Sequence, residues 1–121
     1  MVNNFNNKYI MLKQGVNMKK AVIICAAGMS SSLMAKKVTD YLQQRGKEIE
    51  LDAISASEGL KTIESGEFDL FLISPQTRNY FDKFSDAAKK VNKPIESIPP
   101  QAYIPIPMGI EKLANIVLQH L

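Results

Sequence analysis

Apolar and polar side chains follow two different periods along residues 18–121, and each period predicts a different kind of element. The run AVII at residues 21–24 is continuously apolar, and so is LFLI at residues 70–73. Such runs predict strands that are buried on both faces. Residues 48–54 alternate between polar and apolar side chains instead, which predicts a half-buried strand at a sheet edge. A short fourth strand is predicted at residues 95–98.

Helical spacing of apolar residues follows the predicted strands. In the first such segment Met34, Val38 and Leu42 recur every four residues, with polar side chains on the opposite face. Ser55 and Glu58 have the spacing of a capping box, which predicts a short helix after the second strand. The longer helices are predicted at residues 31–45, 80–91 and 110–121.

The alternation of strands and helices predicts an α/β fold in which a four-stranded parallel sheet lies between two layers of helices. The first and third strands are apolar on both faces, so they are expected at the centre, with the second and fourth strands at the edges. Right-handed crossovers then give the strand order 2-1-3-4. We therefore predict a three-layer, reduced flavodoxin-like domain.

Length and composition suit one small globular domain. The chain has 121 residues, of which 45% are hydrophobic and 22% are charged. This is enough for one apolar core but too short for two ordinary domains. Residues 1–17 are rich in asparagine and show no periodicity, so we interpret them as a disordered leader or a cloning artefact. The domain is assigned to residues 18–121.

Charge and cysteine usage exclude several functional classes. The net charge of +3 is spread over the chain without a basic run, so no nucleic-acid partner is expected. No apolar stretch approaches the ~18 residues that span a bilayer, and the N-terminal residues lack the apolar region of a signal peptide. A single cysteine cannot form an internal disulfide, which fits a reducing compartment. We expect a soluble cytoplasmic protein without direct membrane insertion.

The single cysteine, Cys25, ends the first predicted strand and begins the loop CAAGMSSS at residues 25–32. In the order 2-1-3-4 the winding of the chain reverses between the first and third strands. Ligands of open α/β sheets bind outside the carboxyl ends of the strands at that point. Residues 74–76, which follow the third strand, should meet the cysteine loop there. Cys25 is thus expected where this architecture places its ligands.

The loop has the composition of an anion-binding site. Gly28 permits close approach of the backbone to a ligand, and the start of the helix offers unpaired N–H groups. Ser30, Ser31 and Ser32 add hydroxyl donors, and one of them is expected to cap the helix. The positive end of a helix also favours the thiolate, the nucleophilic form of Cys25. A thiolate beside an oxyanion site indicates phosphoryl transfer to sulfur, whereas an inert, buried Cys25 is the structural alternative.

Other chemistries lack the residues that they need. One cysteine and one histidine cannot supply the ligands of a zinc ion, so no metal is expected. The P-loop sequence of NTPases is absent, no aromatic pair flanks the loop for a flavin, and no cofactor is expected. Low-molecular-weight tyrosine phosphatases resemble this site, but they have an arginine six residues beyond the cysteine, where this chain has Ser31. A hydrolase would use that arginine to clamp the phosphate.

Two segments carry a resemblance to a known family. After an apolar strand, residues 25–33 match the pattern C-x-x-G-M-S-[ST]-S-[LM]. The segment LFLISPQTRNYF at residues 70–81 is similar to the family's apolar strand followed by Pro-Gln and a tyrosine. Through these segments the chain resembles the lactose/cellobiose-type enzyme IIB of the bacterial phosphoenolpyruvate-dependent sugar phosphotransferase system. Residues 103–109, YIPIPMG, depart from the family's Tyr-Gly-x-x-Asp/Asn-Gly.

The resemblance implies a phosphocysteine carrier. Cys25 would accept a phosphoryl group from a phosphohistidine on the IIA component and donate it to a sugar held by the membrane component IIC. The sugar would be a β-glucoside such as cellobiose, or lactose or chitobiose. The implied phosphate-binding loop consists of Ala26, Ala27, Gly28, Met29, Ser30, Ser31 and Ser32. Gln76 and Tyr80 are expected in the neighbouring loop, and a cysteine phosphatase or a non-catalytic flavodoxin-like binding module are the alternatives.

Overall fold

Four strands and four α-helices alternate along the chain in a computed structural model that describes residues 18–26 and 29–121. The strands are β1 (Lys19–Cys25), β2 (Ile49–Ser55), β3 (Leu70–Ile73) and β4 (Ile95–Ser97). The helices are α1 (Met29–Gln44), α2 (Gly59–Glu64), α3 (Phe81–Lys90) and α4 (Pro107–His120). Short 3-10 turns at Ala56–Glu58, Pro75–Tyr80 and Pro100–Ala102 precede α2, α3 and α4. The predicted leader, residues 1–17, lies outside the described residues.

The strands form one parallel sheet in the order β2-β1-β3-β4, which confirms the predicted topology. Near the end of β1, Ile24 lies opposite Ile54 of β2 on one side and Ile73 of β3 on the other. The apolar residues of both central strands are buried. Their continuous apolar runs reflect this position, because helices cover a central strand of a parallel sheet on both faces.

Two separate apolar cores lie on the two faces of the sheet. On one face, α1 and α4 pack against alternate residues of the central strands, including Ile23 and Leu72. On the other face, α2 and α3 cover the residues between these, including Ile24 and Phe71. Successive side chains of a strand point to opposite faces, so each central strand contributes to both cores.

The starts of three helices differ from the prediction. α1 begins at Met29, ahead of all the loop serines, so the prediction that one of them caps this helix is wrong. Ser55 precedes a 3-10 turn and makes no capping bond, and its hydroxyl lies 2.8 Å from that of Ser57. The predicted capping box with Glu58 is therefore also wrong. α4 begins at Pro107, since proline suits the first helical turn. Apolar periodicity predicts only the part of a helix that is buried, so a helix with an exposed first turn begins earlier than the pattern predicts.

A threonine joins α1 to the exposed edge of β2. The hydroxyl of Thr39 donates to the carbonyl oxygen of Ala35 at 2.7 Å, and it accepts a hydrogen bond from the N–H of Leu51 at 2.8 Å. An edge strand leaves such N–H groups unpaired unless another element covers them. Thr39 therefore satisfies part of this edge and holds α1 against the sheet.

The loop before α4 folds back onto the first turn of that helix. The N–H of Ile106 donates to the carbonyl oxygen of Ile104 at 2.8 Å, and the Ile104 carbonyl lies against Gly109. A Cβ atom at position 109 would overlap the Ile104 oxygen. The close approach of the loop therefore requires glycine at this position, although glycine is a weak helix former.

We expect Gly109→Ala to destabilise the protein by about 1–3 kcal/mol, because the added methyl group must displace backbone rather than a movable side chain. Equilibrium unfolding in urea measures the change. Asn115→Ala, at an exposed position of the same helix, is the control and should stay within about 0.5 kcal/mol of wild type. Equal stability of the two variants would contradict the overlap.

Candidate functional site

The carboxyl ends of the parallel strands meet at one edge of the sheet, and Cys25 lies at the end of β1 in the middle of this edge. Its side chain is 4% exposed, whereas the next residue, Ala26, is exposed. The chain continues from β1 to β2 on one side and later crosses to β3 on the other. The winding of the chain therefore reverses between β1 and β3, and this position at the carboxyl ends of the strands is the switch point of the sheet. Cys25 thus occupies the position predicted for it.

Among the described residues, two hydrogen-bonding groups contact the sulfur of Cys25. The Oγ atom of Ser31 lies 2.8 Å from Sγ, and the carbonyl oxygen of Ile54 in β2 lies 3.4 Å from it. Either the thiol or the Ser31 hydroxyl can donate in the shorter contact, whereas the Ile54 carbonyl can only accept. A thiolate sulfur can only accept, so in that form the Ser31 hydroxyl is the donor of a charge-assisted hydrogen bond.

The start of α1 at Met29 gives neighbouring serines different surroundings. Ser31 falls on the buried face of the helix with Met34 and Val38 and is 2% exposed, whereas Ser32 is exposed. Successive residues of an α-helix are about 100° apart, so two adjacent serines cannot both face the sheet. Ser31 is the one whose hydroxyl reaches the sulfur.

The turn after β3 supplies another wall of the site. Ser74 and Thr77 are both 0% exposed, and their hydroxyl oxygens lie 3.0 Å apart. The Thr77 hydroxyl also lies 3.0 Å from the carbonyl oxygen of Ile24, the residue that precedes Cys25. Thr77 is absent from the site predicted above. A signal for it exists in the sequence, since serine and threonine after a buried strand are typical of turns with side chain-to-backbone bonds.

A groove of about 380 Å³ opens beside the loop. Ala26 and Tyr80 both line it, so two of the predicted site residues come together there. The Tyr80 ring is 42% exposed and stacks on Phe84, with 5.7 Å between the ring centroids. Lys83 adds a positive charge to the same groove. Gln76 is exposed in the turn that ends at Tyr80, and its role stays a prediction.

Part of the predicted phosphate-binding loop lies outside the described residues. Ala27 and Gly28 are not among them, and only the helical backbone is described for Met29 and Ser30. In the part of the chain that the structure describes, no three metal-binding side chains converge on one point. None of the helices described there combines the length and the apolar character that crossing a membrane requires.

One protein family matches most of the chain. The family described as "PTS system, Lactose/Cellobiose specific IIB subunit" matches residues 20–115. An oligo-beta-mannoside-specific EIIB component from Bacillus subtilis (strain 168) is 31% identical over 86 residues, which cover 71% of this chain and 82% of the relative. The chain belongs to this family. It is a IIB component of a sugar phosphotransferase system, and hence a phosphotransferase.

Two solved structures are similar in fold to this IIB component. The lactose-specific IIB domain of Streptococcus pneumoniae has a TM-score of 0.75 at 19% identity, over 86% of this chain and 98% of that one. The cellobiose-specific IIB component of Borrelia burgdorferi has a TM-score of 0.65 at 23% identity, over 86% of this chain and 92% of that one. These likenesses agree with the predicted flavodoxin-like fold. The family match confirms the resemblance seen in the cysteine loop and the Pro-Gln segment.

We expect Ser31→Ala to slow the alkylation of Cys25 by iodoacetamide roughly tenfold, because a hydrogen bond to the charged, reactive form of the sulfur is lost. This IIB component has one cysteine, so the mass of the intact protein reports the reaction directly. Ser32→Ala removes the adjacent, exposed hydroxyl and should react at the wild-type rate. An unchanged rate in Ser31→Ala would mean that this hydroxyl does not stabilise the thiolate.

Proposed function

We propose that this IIB component carries a phosphoryl group on the sulfur of Cys25. The group would come from a phosphohistidine on a IIA component and pass to a sugar held by a membrane IIC component. IIB components of this family work with IIA and IIC partners in general, and the proposal extends this to cognate partners of this chain. One observation carries it: the Cys25 sulfur lies at the switch point of the sheet, 2.8 Å from the Ser31 hydroxyl.

Both proposed steps are displacements at phosphorus. In the first step the Cys25 thiolate attacks, an S–P bond forms, and the P–N bond breaks with its electron pair returning to the imidazole nitrogen. In the second step a sugar hydroxyl attacks, an O–P bond forms, and the S–P bond breaks to regenerate the thiolate. The hydroxyl proton passes to solvent or to a base of the acceptor. The Ser31 hydroxyl can donate a hydrogen bond to the thiolate sulfur both when it attacks and when it leaves.

The start of α1 is the proposed site of the phosphate itself. The first turn of a helix has N–H groups without helical partners and a partial positive charge, which together favour an anion. α1 has no acidic residue in its first turn that would repel one. Residues 26–32 are therefore proposed as the phosphate cradle, with Ser31 next to the sulfur.

The contacts of the sulfur favour a long-lived phosphocysteine. Cysteine phosphatases of the type considered above clamp the phosphate with an arginine at the position of Ser31, which is buried against the sheet here. The Ser31 hydroxyl and the Ile54 carbonyl, which contact the sulfur, are not acids or bases that could activate water. The phosphatase alternative thus receives no support from the described contacts of Cys25.

The named relatives indicate the class of sugar. They are specific for oligo-beta-mannosides, lactose and cellobiose. A β-linked di- or oligosaccharide, such as cellobiose, lactose or chitobiose, is therefore the proposed acceptor of the phosphoryl group. The proposed location of this IIB component is the cytoplasm, where its phosphoryl donor would be phosphorylated from phosphoenolpyruvate.

We expect Cys25→Ser to fold normally but to accept no phosphoryl group. Serine can make the same two hydrogen bonds, yet its hydroxyl is a far weaker nucleophile than a thiolate. The measurement is the intact mass after incubation with phosphoenolpyruvate, the general phosphotransferase proteins and IIA. Phosphorylation of the serine variant at the wild-type rate would exclude Cys25 as the acceptor, and a wild type that gains no phosphoryl group would favour the binding module.

Phosphorylated wild type should lose its phosphoryl group slowly in buffer and rapidly when IIC and sugar are supplied. A well-placed transition-state donor, such as the arginine that is absent here, contributes ~10²–10³-fold in rate, so attack by water receives little help. Loss of label from the purified phosphoprotein, with and without membranes that contain IIC, measures both rates. Fast spontaneous hydrolysis, or turnover of an aryl phosphate at enzymatic rates, would favour the phosphatase instead.

A further inference from the structure

Thr77, in the turn after β3, is polar but completely buried, and it lies against the end of β1. Its hydroxyl oxygen lies 3.0 Å from the carbonyl oxygen of Ile24, 3.2 Å from that of Ser74 and 3.0 Å from the Ser74 hydroxyl. A hydroxyl has one proton to donate and can accept another hydrogen bond. The closer of its two carbonyl contacts is the one to Ile24, and when Thr77 donates there its oxygen accepts from the Ser74 hydroxyl.

Backbone groups also close the turn after β3. Its backbone closes through a hydrogen bond from the N–H of Thr77 to the carbonyl oxygen of Ser74, at 3.0 Å. The sheet continues through the N–H of Ser74, which donates to the carbonyl oxygen of Ile24 at 3.0 Å. The Thr77 hydroxyl therefore gives the Ile24 carbonyl a second donor, in addition to the one that the sheet supplies.

The Ile24 carbonyl belongs to the same planar peptide unit as the N–H of Cys25. Two donors on that carbonyl restrict the plane more than one donor does, and the plane orients the Cα–Cβ bond that carries the sulfur. Phosphoryl transfer requires the attacking atom to be in line with phosphorus. A displacement of about 1 Å can lower the rate ~100-fold.

We propose that Thr77 is a positioning residue for the phosphoryl transfer described above. By holding the peptide between Ile24 and Cys25, its hydroxyl keeps the sulfur beside Ser31 and aligned with the incoming phosphorus. Thr77 acts through Cys25 and contacts no reacting atom. A test that measures the rate of phosphoryl transfer rests on the proposed function, whereas a test that measures the alkylation of Cys25 does not.

A small set of variants separates the hydroxyl at position 77 from general stability. Thr77→Val removes the hydroxyl at nearly constant shape, and Thr77→Ser keeps it. Thr77→Val also deprives the buried Ser74 hydroxyl of this partner, so the double variant Ser74→Ala/Thr77→Val removes both polar groups and limits the loss of stability. Ser74→Ala alone keeps the bond from Thr77 to Ile24. Urea unfolding gives the stability of each variant.

We expect the maximal rate of transfer from phosphorylated IIA to fall about ten- to hundredfold in Thr77→Val and in the double variant. The KM for IIA should stay unchanged, because Thr77 is buried and leaves the protein surface unaltered. Thr77→Ser should transfer at a rate near that of wild type, and Ser74→Ala should lose less than Thr77→Val because it keeps the bond from Thr77 to Ile24. Thr39→Val is the matched control, since the Thr39 hydroxyl also joins two elements but lies away from Cys25; it should lower stability without lowering the transfer rate.

Alkylation of Cys25 by iodoacetamide is a second measurement that needs no partner protein. The rate should fall in Thr77→Val and in the double variant, because the sulfur is no longer held beside the Ser31 hydroxyl. Thr77→Ser should restore it, and Thr39→Val should react like wild type.

Wild-type transfer rates in both valine variants at position 77 would overturn the positioning role, and so would an equal loss in Thr39→Val. A wild type that accepts no phosphoryl group would refute the proposed function separately. The alkylation series then decides on Thr77: a reduced rate that Thr77→Ser restores supports the proposal, and an unchanged rate in the valine variants overturns it.

Discussion

The pairing of β1 with both of its neighbours determines where the site lies and how firmly it is held. The strand is paired with β2 up to Cys25 and with β3 up to Ile24, and its two faces belong to separate apolar cores. A shift of register would move every buried side chain of the strand to the wrong face. Cys25 is the last residue of this strand, so the contacts that stabilise the fold also set the position of the sulfur.

Around this strand end, groups from distant parts of the chain converge. Ser31 from α1 and Ile54 from β2 contact the sulfur, and Thr77 from the turn after β3 contacts the preceding carbonyl. Donors that are already in place need little rearrangement when charge develops on a reacting atom. This arrangement suits a sulfur that gains and loses a phosphoryl group in each cycle, as the proposed carrier role demands.

Strand order could be predicted from the sequence because apolar runs and alternation report burial directly. The cysteine motif also predicted the position of the loop, but it could not show which of the serines contacts the sulfur. Ser31 and Ser32 are chemically identical neighbours, and only the start of α1 at Met29 decides which of them faces the sulfur. Ser74 and Thr77 after β3 carry the local signal of a turn, but the contact of Thr77 with the Ile24 carbonyl spans 53 residues of sequence and leaves no local pattern.

The near-complete burial of Cys25 at a single edge of the sheet bears on the timing of transport. A sulfur in this position can be approached by one protein at a time, so in the proposed carrier cycle the donor and the acceptor alternate on the same surface. Each partner has to leave before the next can bind, and the dissociation rates of the two complexes then set an upper limit on the flux of sugar. Tight binding to either partner would slow uptake, and short-lived complexes are the arrangement that such a carrier favours.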